Sequence, residues 1–429
     1  MAAVAACPVG GRLMNVRVGV LRFVRGLSAD PSERRRLGAA VVSLLRQRRG
    51  SLTVLGPLIR FFPTNGNAKL RLWRGLARSC ANVRPNWSTA ETSNLLATAT
   101  RSTQAYVDAA VALSRDRNGF LQRGKGYGQL RRLWSERPPE RLFVFHHYDP
   151  RGVMPHSWHE ALLALQSAGW QVLISSSYLD SDISSLLESA GVQIVGRANI
   201  GLCLGAYRDL ALLLHSTPAV HQQLKALVFC NDSNLLVQPP AVLLAQLERW
   251  TKEHSTMRPV LAGLTDSVER CCYHLQSFLL HANRGLMKHP AWLRFWLDYA
   301  IDGSKDDLIN KGEIGLSQTL LAAGVELKPA YPLVHGLLTD QAMASELQRY
   351  GRSQLEHVNQ SLFAWRSLLA RGFPLVKKHV LFKLAEHQAQ QMAIADLARW
   401  IPQERCDLLA RDIEQLMISR YSGGEPRMD

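Results

Sequence analysis

Between Arg141 and Ser233 short apolar runs alternate with helical periods, and this alternation limits the fold more than any other feature of the chain. Leu142-Phe143-Val144-Phe145, Gln171–Ile174 and Val192–Val195 are short runs of the kind that form buried strands. Trp158–Ala168 and Ile183–Ala190 have helical spacing, and each stops at a glycine, Gly169 or Gly191. A further apolar helical segment leads into Leu227-Val228-Phe229-Cys230, a run that ends at Asn231-Asp232-Ser233. Strand, helix and strand at this spacing predict an α/β fold with a parallel sheet. Ligands of such sheets sit beyond the carboxyl ends of the strands.

Polar residues gather where those strands end. His146, His147, Tyr148 and Asp149 follow the first run; Ser175, Ser176 and Ser177 follow the second; Arg197 and Asn199 follow the third; Asn231, Asp232 and Ser233 follow the fourth. Their convergence predicts a site. His146, His147, His156 and His159 match no recognised zinc spacing.

Charge divides the chain differently. Residues 1–140 hold 24 Lys and Arg against 7 Asp and Glu, whereas the remainder holds 27 against 28, so the net +16 belongs to the first third. Asp30-Pro31-Ser32-Glu33 opens a helix expected over about 31–49, with arginines at both ends, and Lys69–Arg74 interleaves cations with Leu70, Leu72 and Trp73. Those cations serve as a solvated face or meet an anionic membrane surface through residues 1–80; nucleic acid is disfavoured because no binding motif accompanies them. Gly124-Lys125-Gly126-Tyr127-Gly128 lacks the ending of a phosphate loop and reads as a flexible turn. Arg137-Pro138-Pro139, beside the change in composition, marks a domain boundary near 140.

With 47% hydrophobic residues and no run of eighteen apolar ones, the chain is expected to fold without a membrane span. The seven cysteines, at 7, 80, 203, 230, 271, 272 and 406, contain no C-x-x-C pair and read as thiols in a reducing, cytoplasmic setting.

Several motifs resemble one family. They are Arg197-x-Asn199-x-Gly201 leading to Gly205-Ala206-Tyr207-Arg208, Asn231-Asp232-Ser233, Gly263-Leu264-Thr265, His274–Phe278, Phe295-Trp296 and Glu313–Ser317. Near the end, Asn359, Trp365 and Gly372–Lys378 continue the series. Together they cover roughly 141–380 and resemble the rhamnan synthesis protein F family, glycosyltransferases of bacterial cell-surface polysaccharide assembly that are often associated with rhamnose.

The resemblance implies a GT-A-like nucleotide-sugar-binding domain over 141–335, between a basic, mainly helical region 1–140 and a helical region 336–429. Its partners would be a nucleotide-sugar donor and a glycan or lipid-linked acceptor at the inner face of the cell membrane. Arg197 can pair with phosphate, Asn199 with hydroxyls, and Gly201 and Gly205 permit close backbone approach before a helix N-terminus. Asp232, between Asn231 and Ser233, stands where a metal-binding acid is expected, for Mg²⁺ or Mn²⁺, or else bonds the sugar.

Glu313, after the turn Asn310-Lys311-Gly312, is the expected base of an inverting transfer; a glutamate opening a helix also simply complements its dipole. Asp266 is the substitute base. His146, Tyr148, His274 and Gln276 are expected to contact substrate. One position departs from the family: Cys203 stands where an acid is usual, and a neutral thiol cannot bind a cation or hydroxyl as a carboxylate does. Two classes of function therefore stand, a sugar transferase and a non-catalytic glycan- or membrane-binding scaffold.

Overall fold

The short apolar runs join in one mixed sheet. The computed structural model describes residues 124–197, 199, 201–299, 308–352, 355–382 and 397–422, so the expected helix at 31–49 and the Lys69–Arg74 segment lie outside the described residues. The strands are β1 (Gly124–Lys125), β2 (Arg141–His147), β3 (Gln171–Ser176), β4 (Gln193–Arg197), β5 (Ala226–Asn231), β6 (Asn234–Leu236), β7 (Val260–Ser267), β8 (His274–Leu275), β9 (Leu279–Asn283), β10 (Glu326–Tyr331) and β11 (Leu375–Lys377). The main sheet runs β1-β4-β3-β2-β5-β9-β7-β10, with β8 beside β7, while β6 and β11 form a separate antiparallel pair. β4, β3, β2 and β5 are mutually parallel, as are β7 and β10; β9 runs antiparallel to both of its neighbours.

Helices cover both faces. They are α1 (Tyr127–Glu136), α2 (His156–Ser167), α3 (Ser181–Ser189), α4 (Leu202–His215), α5 (Pro240–Glu253), α6 (Pro290–Asp298), α7 (Gly315–Ala322) and α8 (Gln403–Ser422). Strand periodicity decides which residues each layer meets. Leu142 and Val144 of β2, with Leu227 and Phe229 of β5, join Leu204, Tyr207 and Leu210 of α4, Trp292 and Trp296 of α6 and Leu316 of α7. The alternate residues, Phe143, Phe145, Val228 and Cys230, join Trp158 and Leu162 of α2 and Leu243 and Leu247 of α5 on the other face. Each fully buried leucine or phenylalanine adds roughly 1.5–3 kcal/mol, which makes a one-residue slip of any central strand prohibitive.

The N-terminus of α2 shows how distant segments complete local structure. Pro155 precedes it and offers no capping side chain. Asp412 of α8 does so instead, accepting from the His156 N–H at 2.6 Å and the Ser157 N–H at 3.1 Å. A buried carboxylate there satisfies donors that have no partner within the helix.

Three sequence expectations change. Gly124 and Lys125 form β1 against β4, and Gly126, with φ of 94°, starts α1, so this stretch is ordered structure and not a flexible turn. α1 buries Tyr127, Leu130 and Trp134 in the same core as β2, and the Trp134 indole donates to Gln193 at 3.0 Å. The α/β body therefore begins before the boundary expected near 140. At the other end, β11 pairs with β6 through Leu375 and Leu236, which places a strand inside the supposedly all-helical 336–429.

The described residues fall into two compact units. The larger holds the sheet and its helices, with 274–332 and 359 onward. The smaller includes 267–273 and 333–358, where Asp340 caps the helix Gln341–Arg349 and the Ser267 hydroxyl donates to the Val358 carbonyl. No helix among the described residues is long and apolar enough to cross a membrane.

Among the buried histidines of the larger unit are His146, His215 and His281. Burial pushes their pKa values down to about 4, 3 and 3. Below the unfolded value near 6.5 the unfolded chain takes up protons that the folded one refuses, so stability falls with pH from about 6.5 to 4. Each histidine contributes up to about 1.4 kcal/mol per pH unit in that window, and none contributes above it. Urea denaturation at pH 7.5 and 5.5 should show the loss, with a shallower pH slope for His281→Gln; an unchanged slope would contradict the neutral, buried state.

Candidate functional site

Strand register builds the site. His146 pairs with Ser175 of β3 and with Asn231 of β5, so these three residues form one row at the carboxyl edge of the parallel strands. By alternation His146 and Asn231 lie on the same face as Leu142, Val144, Leu227 and Phe229, the face covered by α4. α4 itself begins at Gly201, with φ of 71°, followed by Leu202 with φ of 53°. A leucine in the left-handed region costs about 1–2 kcal/mol, so packing must hold this entry in place. No carboxylate occupies the first turn of α4.

Asp232 projects just past β5. Its backbone N–H donates to the His146 carbonyl at 3.1 Å, and its Oδ2 accepts from the Tyr148 N–H at 3.3 Å and from Lys378 Nζ at 3.1 Å. Burial alone would raise this carboxyl, but Lys378, then His147 and His146, outweigh it and hold the pKa below its ordinary value. Asp232 is therefore ionised at neutral pH. Asn231 is fixed by its own turn: its Oδ1 accepts from the Ser233 N–H at 3.0 Å and the Ser233 hydroxyl at 2.5 Å.

Glu313 is carried by a different segment. It lies in a π-helical stretch, Leu308–Ile314, that precedes α7, and not in the first turn of an α-helix as expected. Wide turns of this kind are frequent at functional sites. One of its carboxylate oxygens, Oε1, accepts from the Ser277 N–H. The Ser277 carbonyl in turn accepts from the Tyr207 hydroxyl of α4 at 3.4 Å.

Cys203 joins these groups. Burial first, then the Glu313 carboxylate and also Asp232, push its thiol up to about 12, against an opposing hydrogen bond to Asn231. The thiol stays protonated and inert. His146 completes the rim: its Nε2 lies 3.3 Å from the Asn199 Oδ1, and its Nδ1 has no hydrogen-bond partner among the described residues although the residue is buried. A buried polar atom without a partner is unusual and points to a ligand or water.

Other expected site residues are committed elsewhere. Arg197 does not reach the strand edge as a phosphate ligand: its guanidinium is fully buried and its Nε donates to Asp209 Oδ2 of α4 at 2.9 Å. Gly205 is buried inside α4. Asp266 receives Gln360 Nε2 at 3.2 Å, which makes it a poor substitute base. Gln276 is also internal, its Oε1 accepting from Thr265 at 2.7 Å and Ser361 at 3.0 Å. His274 of β8 is buried, at 1% exposed. Tyr148, 36% exposed, remains at the surface beside Asp232. A cavity of about 470 Å³ lined by Val153, Met154, His159, Ile183 and Leu186 opens beside α2 and α3, and contains none of the clustered residues.

The residues around Asp232 do not fit a hard divalent cation. Such ions take about six or more oxygen ligands, several of them carboxylates. Here Lys378 and an N–H occupy Oδ2 of Asp232, the Asn231 oxygen is engaged by Ser233, and position 203 is a protonated thiol. Lys378 itself was not anticipated from sequence, because its pairing joins residues 146 apart.

No protein-family model matches the chain, and no curated protein matches it.

Proposed function

We propose that the protein is a glycosyltransferase that moves a sugar from a nucleotide-sugar donor to a glycan or lipid-linked acceptor through a GT-A-like site. The observation that carries this reading is the row of His146, Ser175 and Asn231 at the carboxyl edge of the parallel strands, with Asp232 just past it, ionised and bonded by Lys378. Two carboxylates with different surroundings suit the two tasks of transfer. Asp232, held ionised beside Lys378, is suited to the donor. Glu313, with Oε1 on the Ser277 N–H, keeps Oε2 for the acceptor proton.

In the reaction Glu313 removes the proton of the acceptor hydroxyl as its oxygen bonds the anomeric carbon. The bond from that carbon to the diphosphate breaks, and the nucleoside diphosphate leaves with the electron pair. Asn199, His146 and the exposed Tyr148 supply polar contacts to the donor, while the N–H groups at the start of α4 favour negative charge. The resemblance of motifs within 141–380 to the rhamnan synthesis protein F family would imply a rhamnose-type donor and a site at the inner face of the cell membrane.

Slow hydrolysis of nucleotide sugars by the purified protein tests the reading. One donor among UDP-, GDP- and dTDP-sugars should yield free diphosphate, and Asp232→Asn should lower that rate by about 10²-fold. Equal rates for Asp232→Asn and the native protein would favour the scaffold reading.

A further inference from the structure

We infer that Lys378 takes the place of a divalent cation at this site, neutralising the diphosphate as it departs, with Asp232 as its positioning residue. The inference rests on the transferase reading above. It begins with charge: Asp232 Oδ2 accepts from Lys378 Nζ at 3.1 Å, so an ammonium already sits against the carboxylate of this turn. An ammonium carries three donors in tetrahedral array. Asp232 takes one, and among the described residues it is the partner found for Nζ, so two donors remain for phosphate oxygens.

The fold builds this placement. β11 pairs antiparallel with β6, setting Lys377 opposite Asn234, and the next N–H, that of Lys378, donates to the Ser233 carbonyl at 2.9 Å. Lys378 is thereby fixed to the same turn that carries Asn231 and Asp232. Below it, Leu235, Val237, Val376 and Val380 pack with Leu409 and Ile413 of α8, so the segment rests on a core and not on solvent. The Lys378 side chain is 21% exposed and that of Asp232 14%, which leaves the pair reachable but partly shielded. Partial shielding strengthens a charge-assisted bond to phosphate beyond its value in open water.

The surroundings favour an ammonium over a metal on chemical grounds as well. Where a second acid would help hold a cation, Cys203 is a thiol pushed up to about 12. Asn231 spends its oxygen on Ser233. During transfer the negative charge that develops on the departing diphosphate oxygen would fall on the Lys378 N–H donors, and no metal–oxygen bond has to form or break.

Titration calorimetry with UDP, GDP and dTDP, each compared with its nucleoside, tests this in the full chain. At least one diphosphate is expected to bind in EDTA within about twofold of its affinity in Mn²⁺. Lys378→Met should weaken that diphosphate about tenfold, the size of one charge-assisted bond, while nucleoside affinity stays unchanged. Lys378→Arg, which keeps the charge, should recover most of the loss; this variant and the nucleoside control separate lost charge from a misfolded protein. Binding that requires Mn²⁺, or a Lys378→Met protein that binds the diphosphate normally, overturns the inference and leaves the transferase reading standing. Failure to bind any of the three diphosphates under either condition overturns the transferase reading itself.

Discussion

Glu313→Gln should lower nucleotide-sugar turnover by about 10²–10⁴-fold, the usual contribution of a general base, with little change in stability. The substitution separates chemistry from structure because Gln keeps an Oε1 that can accept the Ser277 N–H, the bond Glu313 makes among the described residues. What Gln cannot do is take a proton. Donor affinity should be unchanged if Glu313 acts only as the base. The comparison to make is kcat against diphosphate binding: a loss confined to kcat supports the base assignment, whereas loss of binding with kcat retained would reassign Glu313 to holding the donor.

The largest stability effect should come from Asp209→Ala. Asp209 is fully buried in α4, with Arg197 Nε at 2.9 Å and Arg208 Nη1 at 3.6 Å. Removing the carboxylate leaves guanidinium charge in the core, which costs about 3–5 kcal/mol. Replacing both partners, as in Arg197→Met with Asp209→Leu, should recover much of that loss because an apolar pair of similar volume carries no desolvation penalty. Chemical denaturation of the three proteins measures it. A single substitution costing under about 1 kcal/mol would contradict the structural role of the buried pair.

That position shows where sequence reading works and where it stops. The β2-α2-β3-α3-β4 alternation was legible because each strand is a short apolar run, and because Gly169 and Gly191 terminate the intervening helices. The ends of those strands were legible for the same reason, and with them His146, Asn231 and Asp232. Arg197 misled because strand-end position says where a residue begins, not where its side chain ends. The corrective signal was present twelve residues on: a lone Asp209 in the leucine-rich helix Leu202–His215 needs a buried cation.

Lys378 was read only as the end of the Gly372–Lys378 motif, not as a site residue. Its pairing with Asp232 depends on β6 and β11 meeting, a contact that periodicity within either segment cannot reveal. Gln276 and Asp266 have the composition of acceptor contacts, yet Thr265, Ser361 and Gln360 satisfy them internally. For polar residues in a sheet, sequence gives the row; the partners come only with the tertiary structure. The same limit hid β1, whose two residues acquire strand geometry only by pairing with Arg197 and Gly196.

The central claim is that a nucleotide sugar binds at the carboxyl edge of the parallel strands. Hydrogen exchange with and without the tightest-binding nucleoside diphosphate tests it most directly. The account predicts new protection at 202–205, in the first turn of α4, and at 231–234, with no change along α3 and the neighbouring cavity at 151–154. Protection confined to the cavity side, with 202–205 and 231–234 exchanging as in the free protein, would contradict it.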